Sequence, residues 1–362
     1  MLFSYRYVPH TIEAFQTWLD HLVKEVWCKA TGNFTLDLLH PTLREVVEAI
    51  YNTEVEKPRG KSKDWLYGPI TTIYDIFKDE LTPAQRQQMS VWYDTNNDIE
   101  ALCSCDPAKV PGTYADVRVI NQKLEEELKS FCQDLFTDVI HLGAATSLIG
   151  EIDAHYNEFV KVNKAGKCPY CGYNDIKGEH HSRREAYDHF LPKGVYPFNS
   201  VNFRNLAPMC HECNSSYKLK LDPVRHIDPI SRKNTGTRRK AFYTYSANSP
   251  AISVSVTLRT DDVAILTPDN IDLQIDSPGC NQEVESWNDV FGIEERYKAK
   301  CCAENDGKAW LQHVVEESAN YGRSVDEMLA EIERAAARAP CDSANFLKQP
   351  FLKACKDAGV LR

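Results

Sequence analysis

The stretch from Cys168 to Lys218 decides the fold of this chain. It contains three segments: CPYCG (168–172), YDHFLPK (187–193) and FRNLAPMCHECNSSYK (203–218). Its two Cys-x-x-Cys pairs are Cys168/Cys171 and Cys210/Cys213. Two thiolates at this spacing can bind one side of a tetrahedral zinc ion, and a second pair can close the other side. The pairs therefore predict one structural Zn²⁺ site without an open position, and the alternative is four buried thiols.

The 38 residues between the two pairs (172–209) exceed a simple zinc ribbon and must hold structure of their own. An aromatic and aliphatic run at 187–191 predicts a strand, and Pro192 ends it. Adjacent strand residues point to opposite faces of a sheet. Asp188 and His189 can therefore serve one site only at the end of a strand or at a bend.

A helix is predicted to begin near Cys210. Asn214 and Lys218 are four residues apart in this segment and would share one face of the helix. Asn205 precedes the helix in a connecting loop. The predicted order is a strand, a loop that contains Asn205, a second strand or turn, and a helix.

This arrangement resembles the HNH endonuclease family, whose fold is a ββα-metal finger. The family pattern is a catalytic His at the end of the first strand, an Asn in the loop and a His or Asn on the helix. His189, Asn205 and Asn214 occupy those places here, and zinc-knuckle pairs and an Asp before the His are also common in the family. The resemblance covers residues 165–230. Three residues separate Asn214 from Lys218 where many members have two, which leaves the role of Lys218 open.

The resemblance implies roles for five residues. His189 is the general base, because a neutral imidazole suits proton transfer near pH 7. Asp188 and Asn214 supply oxygens to one catalytic Mg²⁺ or Mn²⁺ ion. Asn205 ties the loop together and holds His189, and Lys218 neutralises the phosphate. The alternative is that Asp188 caps a turn and His189 is a core histidine.

The charge of the chain is unevenly distributed. Residues 161–240 contain 16 Lys and Arg against 7 Asp and Glu, a net charge of +9, whereas the remainder carries −19 within a total of −10. A basic island in an acidic chain indicates binding to a polyanion, and its alternative is a solvated basic face. The predicted nucleic-acid contacts are Arg183, Arg184, Lys193, Arg204 and Lys220. Other cations of the island are Lys218, Arg232, Lys233, Arg238, Arg239 and Lys240.

The predicted fold class is α+β and mostly helical. We expect a helical N-terminal docking region at 1–160, a zinc-stapled HNH nuclease domain at 161–235, and a small antiparallel sheet followed by helices at 236–362. Residues 116–142 and 284–302 each read as one long helix. Three runs predict the strands of the small sheet: 240–246, 251–259 and 270–276.

Composition excludes several classes of protein. The 362 residues contain no run of about 18 apolar positions, so we expect no membrane span. The first residues lack the pattern of a signal peptide, and thirteen cysteines in a chain of this length indicate a reducing, cytoplasmic setting. No nucleotide-binding glycine motif is present, so any ATPase activity is expected on another protein.

The preferred function is a metal-dependent HNH endonuclease that acts on DNA. A run of Trp287, Phe291, Arg296 and Tyr297 is similar to a W…F…RY segment of one bacterial HNH subgroup, although an amphipathic core helix explains it equally well. That subgroup resembles the nuclease subunits of antiphage systems such as Septu, which pair an HNH protein with an ATPase. This implies an ATPase or another regulatory subunit as a partner. The alternatives are a non-catalytic zinc module that binds nucleic acid or a partner, and a nuclease directed at RNA.

Overall fold

Helices dominate both ends of the chain in a computed structural model that describes residues 1–52 and 64–361. The α-helices are α1 Ala14–His21, α2 Pro41–Asn52, α3 Tyr67–Glu80, α4 Pro83–Asn97, α5 Ile99–Cys103, α6 Tyr114–Ile120, α7 Gln122–Thr137, α8 Gly143–Ile149, α9 Ile152–Val162, α10 Asn281–Phe291, α11 Ile293–Cys302, α12 Ala309–Tyr321, α13 Val325–Arg338 and α14 Asn345–Asp357. The strands are β1 Ala186–His189, β2 Leu206–Met209, β3 Arg225–Ile227, β4 Asn234–Arg238, β5 Ser253–Leu258 and β6 Ile271–Asp276. This composition agrees with the predicted, mostly helical α+β class.

Several shorter helical segments join these elements. The 3₁₀ turns are Thr11–Glu13, Leu36–Leu38, Val139–His141, Val263–Ile265, Pro268–Asn270 and Asp342–Ala344. The π-helical segments are Leu22–Trp27, Glu212–Lys218 and Glu304–Lys308. We call Glu212–Lys218 the site helix, because it carries three of the predicted site residues: Cys213, Asn214 and Lys218.

Two helices that the sequence predicted as continuous are broken. The prediction for 116–142 was wrong at Asn121, whose extended backbone separates α6 from α7. Its side chain accepts a hydrogen bond from the backbone N–H of Leu124 at 2.9 Å and so caps α7. The prediction for 284–302 was wrong at Gly292, which has a φ of 60° and ends α10. Glycine adopts this left-handed conformation without the steric cost of a Cβ atom.

The strands form three two-stranded antiparallel sheets in the part of the chain that the structure describes. β1 pairs with β2, and this places Asp188 opposite Ala207 and His189 opposite Leu206. β5 pairs with β6 as the small sheet that the sequence predicted. The prediction of a strand at 240–246 was wrong, because these residues form no strand. Their backbone groups bond elsewhere: the Tyr5 N–H donates to the Thr244 carbonyl at 2.9 Å.

Buried apolar side chains from the N-terminal, central and C-terminal regions form one continuous cluster. The N-terminal segment contributes directly to the central region. The Leu2 N–H donates to the Pro169 carbonyl at 2.9 Å, and the Tyr5 hydroxyl donates to the Pro208 carbonyl at 3.2 Å. The segment before the first helix therefore supports the first knuckle and β2, and the domain boundaries remain a prediction.

No single helix among the described residues is long and apolar enough to cross a membrane, although the bent pair Gln122–His141 and Gly143–Val162 meets the length and composition criteria together.

Candidate metal and catalytic centre

The four cysteines of the two pairs converge as the sequence predicted. Their Sγ atoms lie within 4.8 Å of one another, and all four residues are buried. The Sγ atoms of Cys171 and Cys210 are 4.0 Å apart. Tetrahedral zinc with Zn–S distances of about 2.3 Å separates its sulfurs by roughly 3.8 Å. The cluster therefore fits a closed, structural zinc site.

The first knuckle depends on the glycine that follows it. Gly172 has a φ of 80°, and its N–H donates to the Cys168 carbonyl at 2.7 Å. A Cβ atom here would lie 2.0 Å from Cδ1 of Leu2. Only glycine meets both the backbone conformation and the close approach of the N-terminal segment.

Polar groups surround the sulfurs. The Asn174 side-chain amide donates to Cys210 Sγ at 3.5 Å, and Arg296 Nη1 donates to Cys213 Sγ at 3.3 Å. Four thiolates around one Zn²⁺ leave a double negative charge, which such donors stabilise. The sequence analysis identified neither of these two donors to the sulfurs. Asn174 lies three residues beyond Cys171. Arg296 belongs to the W…F…RY run, which an amphipathic core helix explains equally well from the sequence alone.

Helices α10 and α11 pack against the first knuckle. Trp287 Nε1 donates to the Tyr170 carbonyl at 2.7 Å, and the rings of Phe291 and Tyr170 stack with centroids 4.9 Å apart. The Tyr297 hydroxyl donates to the Cys171 carbonyl at 3.0 Å. With Arg296 on Cys213, every member of the W…F…RY run contacts a knuckle. The run thus packs on the zinc site rather than on an unspecified part of the core.

His189 ends β1, and its ring is oriented by a backbone group. Its Nε2 lies 2.8 Å from the Ser200 carbonyl oxygen. A carbonyl only accepts, so Nε2 carries the proton and Nδ1 remains the basic nitrogen. Phe136 of α7 packs edge-on against the ring at 4.5 Å, and His189 is only 8% exposed. Burial, assisted by the charge of Lys193, lowers the pKa of His189 to about 3, so the ring is neutral.

Asn205 holds the loop between the first two strands. Its Oδ1 accepts from the Leu191 N–H at 2.8 Å, and its Nδ2 donates to the Leu191 carbonyl at 2.9 Å. The same Nδ2 lies 3.4 Å from the Asn199 carbonyl. Because these bonds begin two residues after His189, they restrain the end of β1 where that ring is attached.

Lys218 and Asp188 form a buried ion pair between the site helix and β1. Lys218 Nζ lies 2.9 Å from Asp188 Oδ2 and 3.2 Å from Oδ1, and the two side chains are 1% and 5% exposed. The same ammonium donates to the His189 carbonyl at 2.8 Å. Burial raises the pKa of Asp188, and the Lys218 charge opposes this rise. Lys218 thus ties the helix to both predicted site residues of the strand.

Asn214 lies half-buried on the site helix, four residues before Lys218. Its carbonyl accepts from the Leu219 N–H at 3.0 Å, an i to i+5 bond typical of a π-helix. Within residues 1–52 and 64–361, its side chain makes no hydrogen bond and does not bond to Asp188. Its amide oxygen is therefore not committed to another described group.

Two of the predicted nucleic-acid contacts interact with other side chains of the protein. Arg184 forms an ion pair with Asp153 of α9. Lys193 Nζ lies 4.9 Å from the ring centroid of Phe136, a cation–π contact. These contacts reduce the charge that Arg184 can offer to a phosphate and fix Lys193 beside the ring that covers His189.

Three further predicted contacts lie at the surface. The Arg204 guanidinium stacks on Tyr7 at 4.2 Å, with the residue still exposed. Arg183 and Lys220 are exposed, and neither makes an ion pair with any residue that the structure describes. These cations are accessible to a polyanion.

The comparisons with known proteins give local similarity only. The chain is 38% identical over 61 residues to "Septu protein PtuB" of Bacillus thuringiensis, which is 16% of this chain and 23% of that protein. It is 36% identical over 72 residues to "Protein ea31" of Escherichia phage lambda, which is 20% of this chain and 22% of that protein. The chain thus spans less than a quarter of each of these relatives. No family model and no solved structure matches it.

Proposed function

We propose that this chain is a metal-dependent HNH endonuclease that hydrolyses phosphodiester bonds of DNA. The observation that carries the proposal is His189 at the end of β1, with Nε2 bonded to the Ser200 carbonyl and Nδ1 left as a neutral base. Asp188 precedes it in the strand, and Lys218 Nζ bonds to both the Asp188 carboxylate and the His189 carbonyl. The local similarity to the Septu protein supports the same assignment.

His189 would remove a proton from the attacking water. An efficient base titrates near the operating pH, and the buried ring with its pKa of about 3 is too weakly basic for this task. Water at Nδ1 and an anionic phosphate beside the ring would oppose the burial and the lysine charges that lower this pKa. Substrate binding would therefore raise the basicity of His189 at the moment when it is needed.

The oxygen donors of the site suit a hard divalent cation. Asp188 offers a carboxylate and Asn214 an amide oxygen, which are ligand types that Mg²⁺ and Mn²⁺ accept. The ion would supply charge neutralisation at the phosphate and the leaving oxygen. Lys218 already holds the Asp188 carboxylate at 2.9 Å and adds positive charge on the same side of the site. Asn205 would keep His189 in place through the loop.

A second candidate function is a non-catalytic zinc module that binds nucleic acid or a partner. It is favoured by the same ion pair, because Lys218 neutralises the charge of the Asp188 carboxylate without a metal. Under this alternative, Asp188, His189 and Lys218 stabilise the finger and perform no chemistry. Hydrolysis distinguishes the two functions.

The test is nicking of supercoiled plasmid by the zinc-loaded protein, with and without added Mg²⁺. Omitting Mg²⁺ is preferable to a chelator, which would also remove the structural zinc. Cleavage that requires Mg²⁺ and disappears in His189→Ala supports the endonuclease. A parallel arm with single-stranded RNA identifies an RNA-directed enzyme, and binding without cleavage of either polymer supports the zinc module.

The proposed biological role is the effector of a bacterial antiphage defence complex. Its support is the similarity to the Septu protein and the net charge of −19 outside residues 161–240, which disfavours unassisted DNA binding. The helical flanks would dock a regulatory subunit, and an ATPase is our candidate. Cleavage by the chain alone should be slow at physiological salt and should increase after co-purification with the protein encoded by the adjacent gene. Fast cleavage that the second protein leaves unchanged argues against this role.

A further inference from the structure

A groove of about 760 Å³ opens between the C-terminal end of the site helix and the β3–β4 hairpin. The residues of its wall that matter here are Tyr217, Leu219, Lys220, Arg225, Arg232 and Lys233. Tyr217 and Leu219, the two neighbours of Lys218 in the chain, both line the groove, and the Leu221 N–H donates back to the Lys218 carbonyl at 2.8 Å. It therefore adjoins the proposed catalytic site but is not part of it.

The groove is lined by four cations against two carboxylates, Asp222 and Glu295, and three of the cations are uncommitted. Lys220, Arg232 and Lys233 are exposed and make no ion pair with any described residue. Arg225 is held in place instead, with Nε 3.4 Å from a carboxylate oxygen of Asp222. Three accessible cations around one groove attract a polyanion.

The wall of the groove is partly apolar. Leu219 is 61% exposed and has a φ of 48°, an unfavourable conformation for a branched side chain. The Tyr217 ring is held by the guanidinium of Arg296 at 4.4 Å and by Gly292, where a Cβ atom would lie 2.5 Å from Cε1 of the ring. A fixed aromatic ring and an exposed leucine offer a surface on which a base can pack.

We infer that this groove binds an unpaired segment of a nucleic-acid strand, an inference that rests on the proposed nuclease function. Phosphates would contact Lys220, Arg232 and Lys233, and a base would pack against Tyr217 and Leu219. Its volume lies within the range of roughly 300–1,000 Å³ that is usual for small-molecule clefts, which accommodates a nucleotide. The bases of an intact duplex are stacked on each other and cannot reach such a wall. The groove thus favours a single-stranded or locally opened substrate.

The test measures binding without hydrolysis. Fluorescence anisotropy is recorded for a labelled single-stranded DNA, an RNA of the same sequence and a duplex, with His189→Ala protein and no added Mg²⁺. The triple variant Lys220→Ala/Arg232→Ala/Lys233→Ala, made in the same protein, should weaken single-strand binding on the order of tenfold or more at low salt. The slope of log K against log salt should fall by roughly 2, since each phosphate contact on a single strand contributes about 0.7.

A matched control removes three exposed lysines outside the groove: Lys123, Lys164 and Lys353. It should leave the affinity within about twofold of the parent, since none of these residues lines the groove. Zinc content and thermal melting verify that both triple variants are folded. Photo-crosslinking of an iodouracil-substituted oligonucleotide to the intact groove should label the peptide that contains Tyr217.

Specific outcomes overturn the inference. It is wrong if the groove variant binds single strands as tightly as the control variant, if the duplex binds more tightly than the single strand, or if the crosslink maps elsewhere. The RNA arm decides which sugar the groove accepts, and sensitivity of either polymer to the triple variant supports the groove. Binding that is lost with the groove while plasmid cleavage is absent refutes the proposed function alone. Cleavage that persists with no groove-dependent binding refutes the groove alone.

Discussion

Arg296 Nη1 lies 3.3 Å from Cys213 Sγ, although the two residues are 83 positions apart in the chain. The same guanidinium forms an ion pair with Glu212 at 2.7 Å. Arg296 is thus a buried cation on α11 that contacts a sulfur of the four-cysteine cluster. The C-terminal region consequently helps to form this candidate zinc site, even though it supplies none of the four cysteines.

Replacing Arg296 should therefore weaken zinc binding. Arg296→Met removes the charge and the donor but keeps much of the side-chain length. Loss of an outer-shell partner typically costs about 10–100-fold in metal affinity, and we expect a decrease of that order. Competition with a chromophoric chelator measures it. The control is Arg259→Met, which removes an exposed ion pair with Asp272, and equal zinc affinity in both variants would contradict the assigned role.

Cys171→Ser should abolish stoichiometric zinc and unfold the central region. Structural zinc contributes roughly 10–16 kcal/mol to folding in small zinc-finger peptides, so the remaining contacts cannot replace it. Elemental analysis and proteolysis of the central segment measure the loss. Cys302→Ser, a half-buried thiol outside the cluster, serves as the control and should retain one zinc. Folded wild-type protein without zinc would refute the site.

His189→Ala should reduce DNA cleavage by about 10²–10⁴-fold, the usual contribution of a general base. DNA affinity should change little, because the proposed phosphate contacts are on other side chains. Single-turnover cleavage and binding are measured on the same preparation. His181→Ala, an exposed histidine, is the matched control. Wild-type cleavage by His189→Ala would remove the base assignment.

Breaking the buried Lys218–Asp188 pair should destabilise the protein. Lys218→Met leaves the Asp188 carboxylate buried without its partner, at a cost of about 3–5 kcal/mol. The double variant Lys218→Met/Asp188→Asn removes both charges and should recover part of that loss. Urea unfolding gives the free energies. A single variant that unfolds at the wild-type midpoint would show that the pair is not important for stability.

His155 should make stability depend on pH. Burial lowers its pKa to about 4, and its Nε2 bonds to the Val8 carbonyl at 3.2 Å. In the unfolded chain the His155 imidazole has a pKa near 6.5. Between pH 4 and pH 6.5 the unfolded chain therefore binds a proton at His155 that the folded chain does not bind. Stability from this group is complete above pH 6.5 and is lost as pH falls to about 4, at most roughly 3 kcal/mol. His155→Gln should flatten the stability curve of this window in pH-dependent unfolding, and an unchanged slope would contradict the account.

Local chemistry is what the sequence by itself determined. The spacing of the Cys-x-x-Cys pairs brings each pair of sulfurs to one side of a metal whatever the rest of the chain does. The alternation of a strand and the turn at Pro192 likewise place Asp188 and His189 at a strand end. These features depend on neighbours within a few residues, which is why they could be predicted.

Only the tertiary structure decided which distant groups meet. It paired Arg184 with Asp153, placed Arg296 on Cys213 and left Lys220 uncommitted beside the groove, although nothing in the sequence distinguishes the fates of these three cations. It also broke two predicted helices, because a cap at Asn121 and a left-handed Gly292 outweighed continuous apolar periodicity. Periodicity records which face of a helix is buried, whereas the partner of a charge depends on how elements far apart in the chain pack together.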